Sequence, residues 1–558
     1  MSDRKNSNTK IKLAGGRSGF LVQGSIYAAS GILSSLIGLL YRLPLTRIIG
    51  DEGNGYYSAA YNVYTIILLL SSYSLPLAVS KMVSARICTN SYRNADRILA
   101  ASLVYAGIAG GAGCLVIWFG AEWFADVFLH IPEAAYPLRA LAPTVLIVSF
   151  LGVCRGYWQG HSTMMPTAVS QVIEQIVNAL VSVGMAYFLL SAALRKNLGL
   201  QTARAYGAMG GTIGTGAGAL AALLLFAAVF LLNRNYLCSR RAEDRTGHLE
   251  TFREITGVLV LTVVPVILST AVYNVGGVID SAFFGHAMFT FGKEAQTAGD
   301  YGIYTAKYKL LINVPVMVAN SLGSALIPAL SRANAARDIE RTEAGISSAI
   351  RFVMIIAIPS AAGLAVMADP IIPLLFGPGE KAVFMMRLGC MGAVFYSLST
   401  VTNAILQGMS HMRIPVRHAL LSLGIHIAIL EFLLYVLRLG IFGVVIADMC
   451  FALSMCLLNA HSLKKLLHHR QEIRRTFALP AACALVMGAV TELLKLFLQR
   501  TSGNIVLCTL LPILAAIAVY AVLLIRSGCL TEQELGMLPK GKALAGIAEK
   551  LHLMRKKS

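Results

Sequence analysis

Apolar residues in this chain come in long blocks rather than in alternating or amphipathic patterns. A helix needs about 20 mostly apolar residues to cross about 30 Å of hydrocarbon. Scanning at that width finds fourteen candidate spans, near 20–41, 57–80, 98–120, 137–158, 166–191, 205–233, 257–283, 303–330, 352–369, 384–407, 416–437, 440–463, 477–498 and 504–526. The stretches between them are short and polar. The longest, near 234–256 and 331–351, are charged connectors, and 527–558 is a basic tail. No soluble domain of useful size fits between the spans, so the pattern predicts an all-α integral membrane protein.

Two segments return about 248 residues later. Gln159-Gly160-His161-Ser162-Thr163-Met164-Met165-Pro166 reappears as Gln407-Gly408-Met409-Ser410-His411-Met412-Arg413-Ile414-Pro415, and Gly55-Tyr56-Tyr57-Ser58-Ala59-Ala60-Tyr61 as Gly302-Ile303-Tyr304-Thr305-Ala306-Lys307-Tyr308. Each tyrosine segment runs on to a serine followed by a cation, Ser80-Lys81 and Ser331-Arg332. Duplicated membrane bundles of this kind build many secondary transporters.

Composition agrees with the blocks: the chain is 56% hydrophobic and 13% charged, with a mean hydropathy of +0.69. The net charge of +20 does not indicate nucleic acid. Lys and Arg gather at alternate loops, as the positive-inside rule requires. The inward set includes Arg4, Lys5, Lys10, Lys12, Arg86, Arg93, Arg97, Arg240, Arg241 and Arg245, then Lys464, Lys465, Arg470, Arg474, Arg475, Lys550, Arg555, Lys556 and Lys557. Outward loops carry acids such as Glu122, Asp126 and Glu133, while Arg195, Lys196 and Arg204 run against the rule. Both termini are then expected in the cytoplasm of a multi-pass protein of the cell membrane. The first hydrophobic block is too long for a cleavable signal and lacks a small-residue cleavage site, so it is expected to stay as an anchor.

Enzyme signatures are nearly absent, and no cofactor is expected. Gly536-Met537-Leu538-Pro539-Lys540-Gly541-Lys542-Ala543 has the spacing of a phosphate-binding loop but ends in Ala, without the hydroxyl that such a loop uses on Mg²⁺. The glycines of the sixth span (Gly207, Gly210, Gly211, Gly214, Gly218) indicate close helix packing. The ten cysteines form no metal-spaced cluster and read as small apolar fillers. Transport must then draw on an ion gradient, the membrane potential or a partner.

Charges inside spans are the sharpest functional evidence, because each is costly unless it meets a cavity or a partner. The basic set is Arg42, Arg139, Arg155, Lys307, Lys309 and Arg387; the acidic set is Glu174, Asp280, Glu431 and Asp448. Arg139, Arg155 and Arg387 lie near span ends and are expected to snorkel to headgroups. Of Lys307 and Lys309, only one easily faces the headgroups, and Lys309 is favoured for the cavity. Asp280 and Glu174 are deeper: each is a candidate for a coupling ion or proton, or half of a structural ion pair. Tyr57, Tyr61, Tyr304 and Tyr308 are candidates for sugar contact or for interfacial anchoring. A cation exporter would show its substrate carboxylates and aromatics. The excess of Arg and Lys leans instead to an anionic, phosphate-bearing cargo.

The stretch Gly38-Leu39-Leu40-Tyr41-Arg42-Leu43-Pro44-Leu45-Thr46-Arg47-Ile48-Ile49-Gly50, the Gly-Tyr-Tyr after it, and Leu75-Pro76-Leu77-Ala78-Val79-Ser80-Lys81 resemble the polysaccharide-transporter branch of the multidrug/oligosaccharidyl-lipid/polysaccharide exporter superfamily (MATE-like). Within it the chain looks closest to the stage V sporulation protein B group, relatives of the MurJ-type lipid II flippases. Ile327-Pro328-Ala329-Leu330-Ser331 is similar to the matching eighth-helix signature. The resemblance implies two pseudo-symmetric six-helix lobes and two further C-terminal helices. It divides the chain into a basic N-terminus (1–19), an N-lobe (20–233), a connector (234–256), a C-lobe (257–475), helices 13 and 14 (476–526) and a basic tail (527–558).

The resemblance also implies alternating access for an undecaprenyl-pyrophosphate-linked sugar, serving peptidoglycan, spore cortex or surface polysaccharide. Arg42 falls on or beside the first-helix cation of such flippases, and Lys309 on the cation before the eighth-helix Pro-x-Leu-Ser. Lys307 and Arg139 are further candidates for the headgroup. Na⁺ or H⁺ is the expected coupling ion, near Asp280 or Glu174, and cell-envelope synthesis enzymes are expected partners; rocking would turn on the connector. Ser35 stands where lipid II flippases carry Arg, and Leu69 and its neighbours lack the second-helix Arg pair, which leaves the headgroup open. The competing readings are a cation-coupled exporter of organic cations on the same fold and a non-transporting scaffold.

Overall fold

The computed structural model describes residues 17–244, 246–336, 338–409, 411–467 and 471–529. The basic N-terminal residues to Lys12, Arg245, Ser410, Arg470 and the tail with its Gly536–Ala543 segment therefore lie outside the described residues. The described chain is helical, without a strand, and divides into two compact units, Met1–Ser281 and Ala282–Ser558.

Unit 1 is built from α1 (Arg17–Leu40), α2 (Arg42–Ser71), α3 (Leu75–Cys88), α4 (Tyr92–Trp123), α5 (Ala135–Gly160), α6 (Met165–Arg195), α7 (Leu200–Leu232) and the short α8 (Arg234–Ala242). The first helix does not end at Arg42, as the apolar block implies. It breaks at Tyr41, resumes as α2, and turns only at Gly50, whose φ of 69° suits glycine. Asn54 fixes the turn by donating to Gly50 O at 2.7 Å and Thr46 O at 3.3 Å. Arg42 therefore lies about 12 Å before the turn at 1.5 Å per residue.

The sixth-span glycines pack as the sequence predicts. A Cβ on Gly210 would sit 2.4 Å from Met185 O, and one on Gly214 2.0 Å from Ser182 Oγ, so α6 and α7 touch backbone to backbone. The core joins Leu75, Val79 and Val83 of α3 to Ile98, Tyr157, Trp158 and Phe226. Ile255, Leu259 and Val263 complete it from α9 (Phe252–Thr290), spaced at i, i+4 and i+8.

Unit 2 contains α10 (Glu294–Gly302), a π-helical stretch Ile303–Lys309, α11 (Leu310–Ala335), α12 (Ile339–Val366), α13 (Ala368–Phe376), α14 (Glu380–Gly389), α15 (Gly392–Gly408), α16 (Arg413–Glu431), α17 (Ile441–Leu467), α18 (Leu479–Thr501) and α19 (Ile505–Arg526). The last two pack on α12: Cys483, Met487, Tyr520 and Leu524 form one cluster, and Tyr520 donates to Ile355 O at 3.0 Å. Buried Lys495 adds polar ties to Glu492 (2.6 Å), Val366 O (3.0 Å) and Asp369 (3.4 Å).

Among the described residues ten helical runs are long and apolar enough to cross a membrane, or eleven if bent α14–α15 counts as one span. One of them, Arg42–Cys88, is a 47-residue run that contains the expected span 57–80, and the expected spans 20–41, 257–283 and 303–330 fall on the long helices α1, α9 and α11. Large apolar side chains face outward, among them Phe119 (78% exposed), Leu180 (70%) and Leu485 (74%). In water such a surface would aggregate; in lipid it is the solvated one.

The boundary between the units falls within α9 at Ser281, not in the 234–256 connector. The connector is fastened to the α3–α4 corner of unit 1. Arg86 pairs with Glu250 at 2.5 Å, Arg97 donates to Glu250 O at 2.8 Å, and Arg241 pairs with Asp96. Asn94 donates to His248 O at 2.9 Å and accepts from Glu250 N–H at 3.1 Å. The connector is thus bonded at several points to unit 1.

Candidate functional site

Each unit carries a cation on an aromatic platform. In unit 1 the Arg42 guanidinium lies over the Tyr57 ring, 5.4 Å from its centroid, and Tyr57 stacks on Tyr61 at 5.8 Å and 8°. Tyr64 extends the row, 5.4 Å from Tyr61. These tyrosines are four and three residues apart in α2, so they share one helix face. Tyr57 and Tyr64 are buried, whereas Arg42 and Tyr61 are half-exposed. Asn178 reaches the neighbouring Tyr41 hydroxyl at 3.5 Å and also accepts from Ser182.

Unit 2 repeats the motif. Tyr304 and Tyr308 stack at 5.8 Å and 20°, and Lys309 Nζ lies 4.9 Å from the Tyr304 centroid. The repeated Gly-x-Tyr segment thus gives the same stacked pair in both units. The cation's origin differs: Arg42 comes from the stretch before the turn, Lys309 from the tyrosines' own helix. The π-helical winding here, often a functional mark, places Lys309 over Tyr304 five positions earlier. Tyr304 and Tyr308 are each 1% exposed and Tyr308 donates to Gly389 O, so neither offers a face to a sugar in this structure. Among the four candidate tyrosines Tyr61 is the accessible one.

The remaining candidate charges separate. Lys309 pairs with Asp448 at 3.2 Å, and Asp448, 5% exposed, also accepts from the Tyr396 hydroxyl. Lys307 is buried (3%), with Nζ close to Gly379. Glu174 receives Arg155 at 2.6 Å and is one half of an ion pair in this structure. Asp280 is 1% exposed on α9, next to Ser281, toward which Asn62 of α2 points while donating to Gly277 O at 3.0 Å.

Arg139 pairs with Glu122 at 2.7 Å, both side chains largely exposed. Arg387 pairs with Asp369. Instead of snorkelling alone, Arg139, Arg155 and Arg387 each meet a carboxylate on another helical segment. Arg204, which runs against the charge rule, pairs with Glu52 at 2.6 Å beside the Gly50 turn.

Sequence reasoning missed Tyr41, Tyr64, Asn178 and Tyr396 as members of these clusters. Tyr64 carried a signal in its three-residue spacing from Tyr61; Tyr396 carried none, since it meets Asp448 from a distant helix. No group of His, Cys, Asp and Glu able to hold a metal is found among the described residues.

Comparison with known proteins places these features in a family context. A model described as "Polysaccharide biosynthesis protein" matches residues 21–334, and one described as "MatE" matches 265–430. Stage V sporulation protein B of Bacillus subtilis (strain 168) is 25% identical over 523 residues, 93% of this chain and 98% of that protein. Lipid II flippase MurJ of the same organism is 25% identical over 412 residues, 71% and 74% of the two chains. Among solved structures, the inward closed conformation of lipid II flippase MurJ superposes with a TM-score of 0.63 at 16% identity, covering 89% of this chain and 97% of that one. An inward-facing MATE-family multidrug resistance transporter gives 0.63 at 18%, covering 80% and 99%. At these identities the structures establish the fold.

Proposed function

The chain belongs to the polysaccharide biosynthesis protein family, and from that premise we propose that it is a flippase for an undecaprenyl-pyrophosphate-linked oligosaccharide, working by alternating access. The observation that carries this reading is the repeated cation on a tyrosine platform, Arg42 in unit 1 and Lys309 in unit 2. A guanidinium and an ammonium bind phosphate oxygens by charge-assisted hydrogen bonds, and both cations keep part of their surface exposed. We assign them to recognition of the pyrophosphate.

Relatives named for sporulation and lipid II flipping make export of organic cations on the same fold the weaker reading. Relatives named as a sporulation protein and a lipid II flippase support a cargo that serves the cell wall or spore envelope. The membrane potential, worth about 2.3 kcal/mol per charge per 100 mV, or a Na⁺ or H⁺ near Asp280, resets the cycle. With the basic connector inside, the termini lie in the cytoplasm.

Native mass spectrometry of the purified chain tests the assignment. Undecaprenyl pyrophosphate is expected to bind in preference to bulk phospholipid, and Arg42→Ala with Lys309→Ala to abolish that preference. Equal retention of both lipids by the wild type would refute the anionic-carrier reading.

A further inference from the structure

A cleft of about 760 Å³ opens between α4 and the start of α9, and no residue of the Arg42 or Lys309 platforms lines it. Ala101, Val104 and Ile108 line one wall; Gly257, Val260 and Leu261 line the other. Its volume falls in the range of ligand pockets, about 300–1,000 Å³. The lining is mostly apolar, with Tyr105 on the α4 wall and Thr256, whose hydroxyl donates to Phe252 O, on the other; its one charge is Arg253, which enters from the first turn of α9.

Arg253 differs from the arginines around it. Arg86, Arg97, Arg240 and Arg241 of the connector corner each have a hydrogen bond or ion pair, to Glu250, the Glu250 carbonyl, Tyr92 and Asp96 respectively. Arg253 is exposed and has no ion pair or hydrogen-bond partner among the described residues. An unpaired guanidinium at a membrane boundary, above an apolar cleft between two helices, is complementary to an anionic lipid: a headgroup phosphate at one end and a hydrocarbon chain along the other. The cleft is also shaped for a chain by a missing side chain, since a Cβ on Gly257 would meet nothing within 4 Å.

We propose that the α4–α9 cleft is a binding site for an anionic glycerophospholipid of the connector-side leaflet, its phosphate on Arg253 and one acyl chain over Gly257. The opposite face of the same α9 turns carries Ile255, Leu259 and Val263 into the core of unit 1. A seated lipid therefore braces α9 against α4 close to the fastened connector.

The test is native mass spectrometry of the full chain with phosphatidylglycerol and phosphatidylethanolamine added in equal amounts. Wild type is expected to retain phosphatidylglycerol preferentially. Arg253→Ala is expected to weaken that retention about fivefold, the contribution of one cation near the surface, and Arg253→Lys to keep most of it. Gly257→Leu fills the cleft and is expected to lower retention with Arg253 intact. All three variants should fold, since Arg253 holds no partner among the described residues and a Cβ on Gly257 meets nothing within 4 Å; an unchanged melting temperature verifies this.

No preference for phosphatidylglycerol, or retention unchanged in Arg253→Ala, overturns the proposal. A loss in Arg253→Ala without one in Gly257→Leu also overturns it, by reducing the site to surface attraction without a seated chain. A third arm adds undecaprenyl phosphate: displacement of phosphatidylglycerol from the wild type but not from Gly257→Leu would assign the cleft to the isoprenoid lipid and refute the glycerophospholipid.

Discussion

Asn94 should hold the connector to unit 1 more firmly than any single ion pair there. It is 4% exposed, and its side chain makes two hydrogen bonds to connector backbone, to His248 O and from Glu250 N–H. Asn94→Ala removes both and strands a backbone carbonyl and an amide. Each loss costs about 1–2 kcal/mol when the stranded group regains only part of its hydration, so local opening becomes easier by about 2–4 kcal/mol. At 1.4 kcal/mol per factor of ten, amide exchange in connector peptides spanning 246–252 should rise roughly 30- to 1,000-fold. Hydrogen–deuterium exchange with mass spectrometry reads this directly, with α7 peptides as the unperturbed reference. Exchange that is unchanged in the connector would refute the reasoning, as would equal acceleration in α7, which would signal general unfolding.

A disulfide formed between Asn94→Cys and Glu250→Cys in a cysteine-free background should leave transport intact, since both positions belong to one unit; a connector pivot would be frozen by it. Arg155→Ala strands the Glu174 carboxylate and should lower stability by about 2–3 kcal/mol, a figure reduced for partial solvent access. Adding Glu174→Gln should restore much of the loss in thermal melts. Asp448→Asn keeps a partner for the Tyr396 hydroxyl but removes the anion beside Lys309, so affinity for undecaprenyl pyrophosphate should rise several-fold in a titration, and fall if Asp448 instead positions Lys309. Asp244 gives a pH signature outside the membrane. Desolvation opposes its charge, but the Arg93 and Thr246 N–H groups and the Thr246 hydroxyl outweigh that and hold its carboxyl below the ordinary value of 3.8. Its contribution is therefore complete above about pH 5 and lost as pH falls through the ordinary value toward the depressed one, so connector exchange should be flat from pH 7 to 5 after correction for intrinsic rates.

Local pattern was enough for much of this architecture. The apolar blocks fall on helices, the glycines of the sixth span meet a neighbouring backbone, and the repeated tyrosine segments form matching stacks. Tyr57 and Tyr61, like Tyr304 and Tyr308, are four residues apart, and helical geometry alone brings such pairs together. Charge partners did not follow in the same way. Lys309 finds Asp448 across 139 positions, and Arg155 finds Glu174 on the next helix, because packing between helices decides which buried charges meet. The interruption at Tyr41 did carry a sign, since Pro44 cannot donate to Leu40 O, but the backbone at Tyr41 stays helical and Arg42 continues into a further helical segment. The connector's composition marked it as charged but not as bound to Asp96 and Asn94.

The most direct measurement of the central claim is translocation in proteoliposomes, read by access of an impermeant glycosidase to an undecaprenyl-pyrophosphate-linked oligosaccharide. The account predicts transfer by the wild type, a loss of at least tenfold in both Arg42→Ala and Lys309→Ala, and near wild-type rates in Arg139→Ala, whose ion pair is largely exposed. Transfer that ignores Arg42 and Lys309, or no transfer alongside efflux of an organic cation, would contradict it.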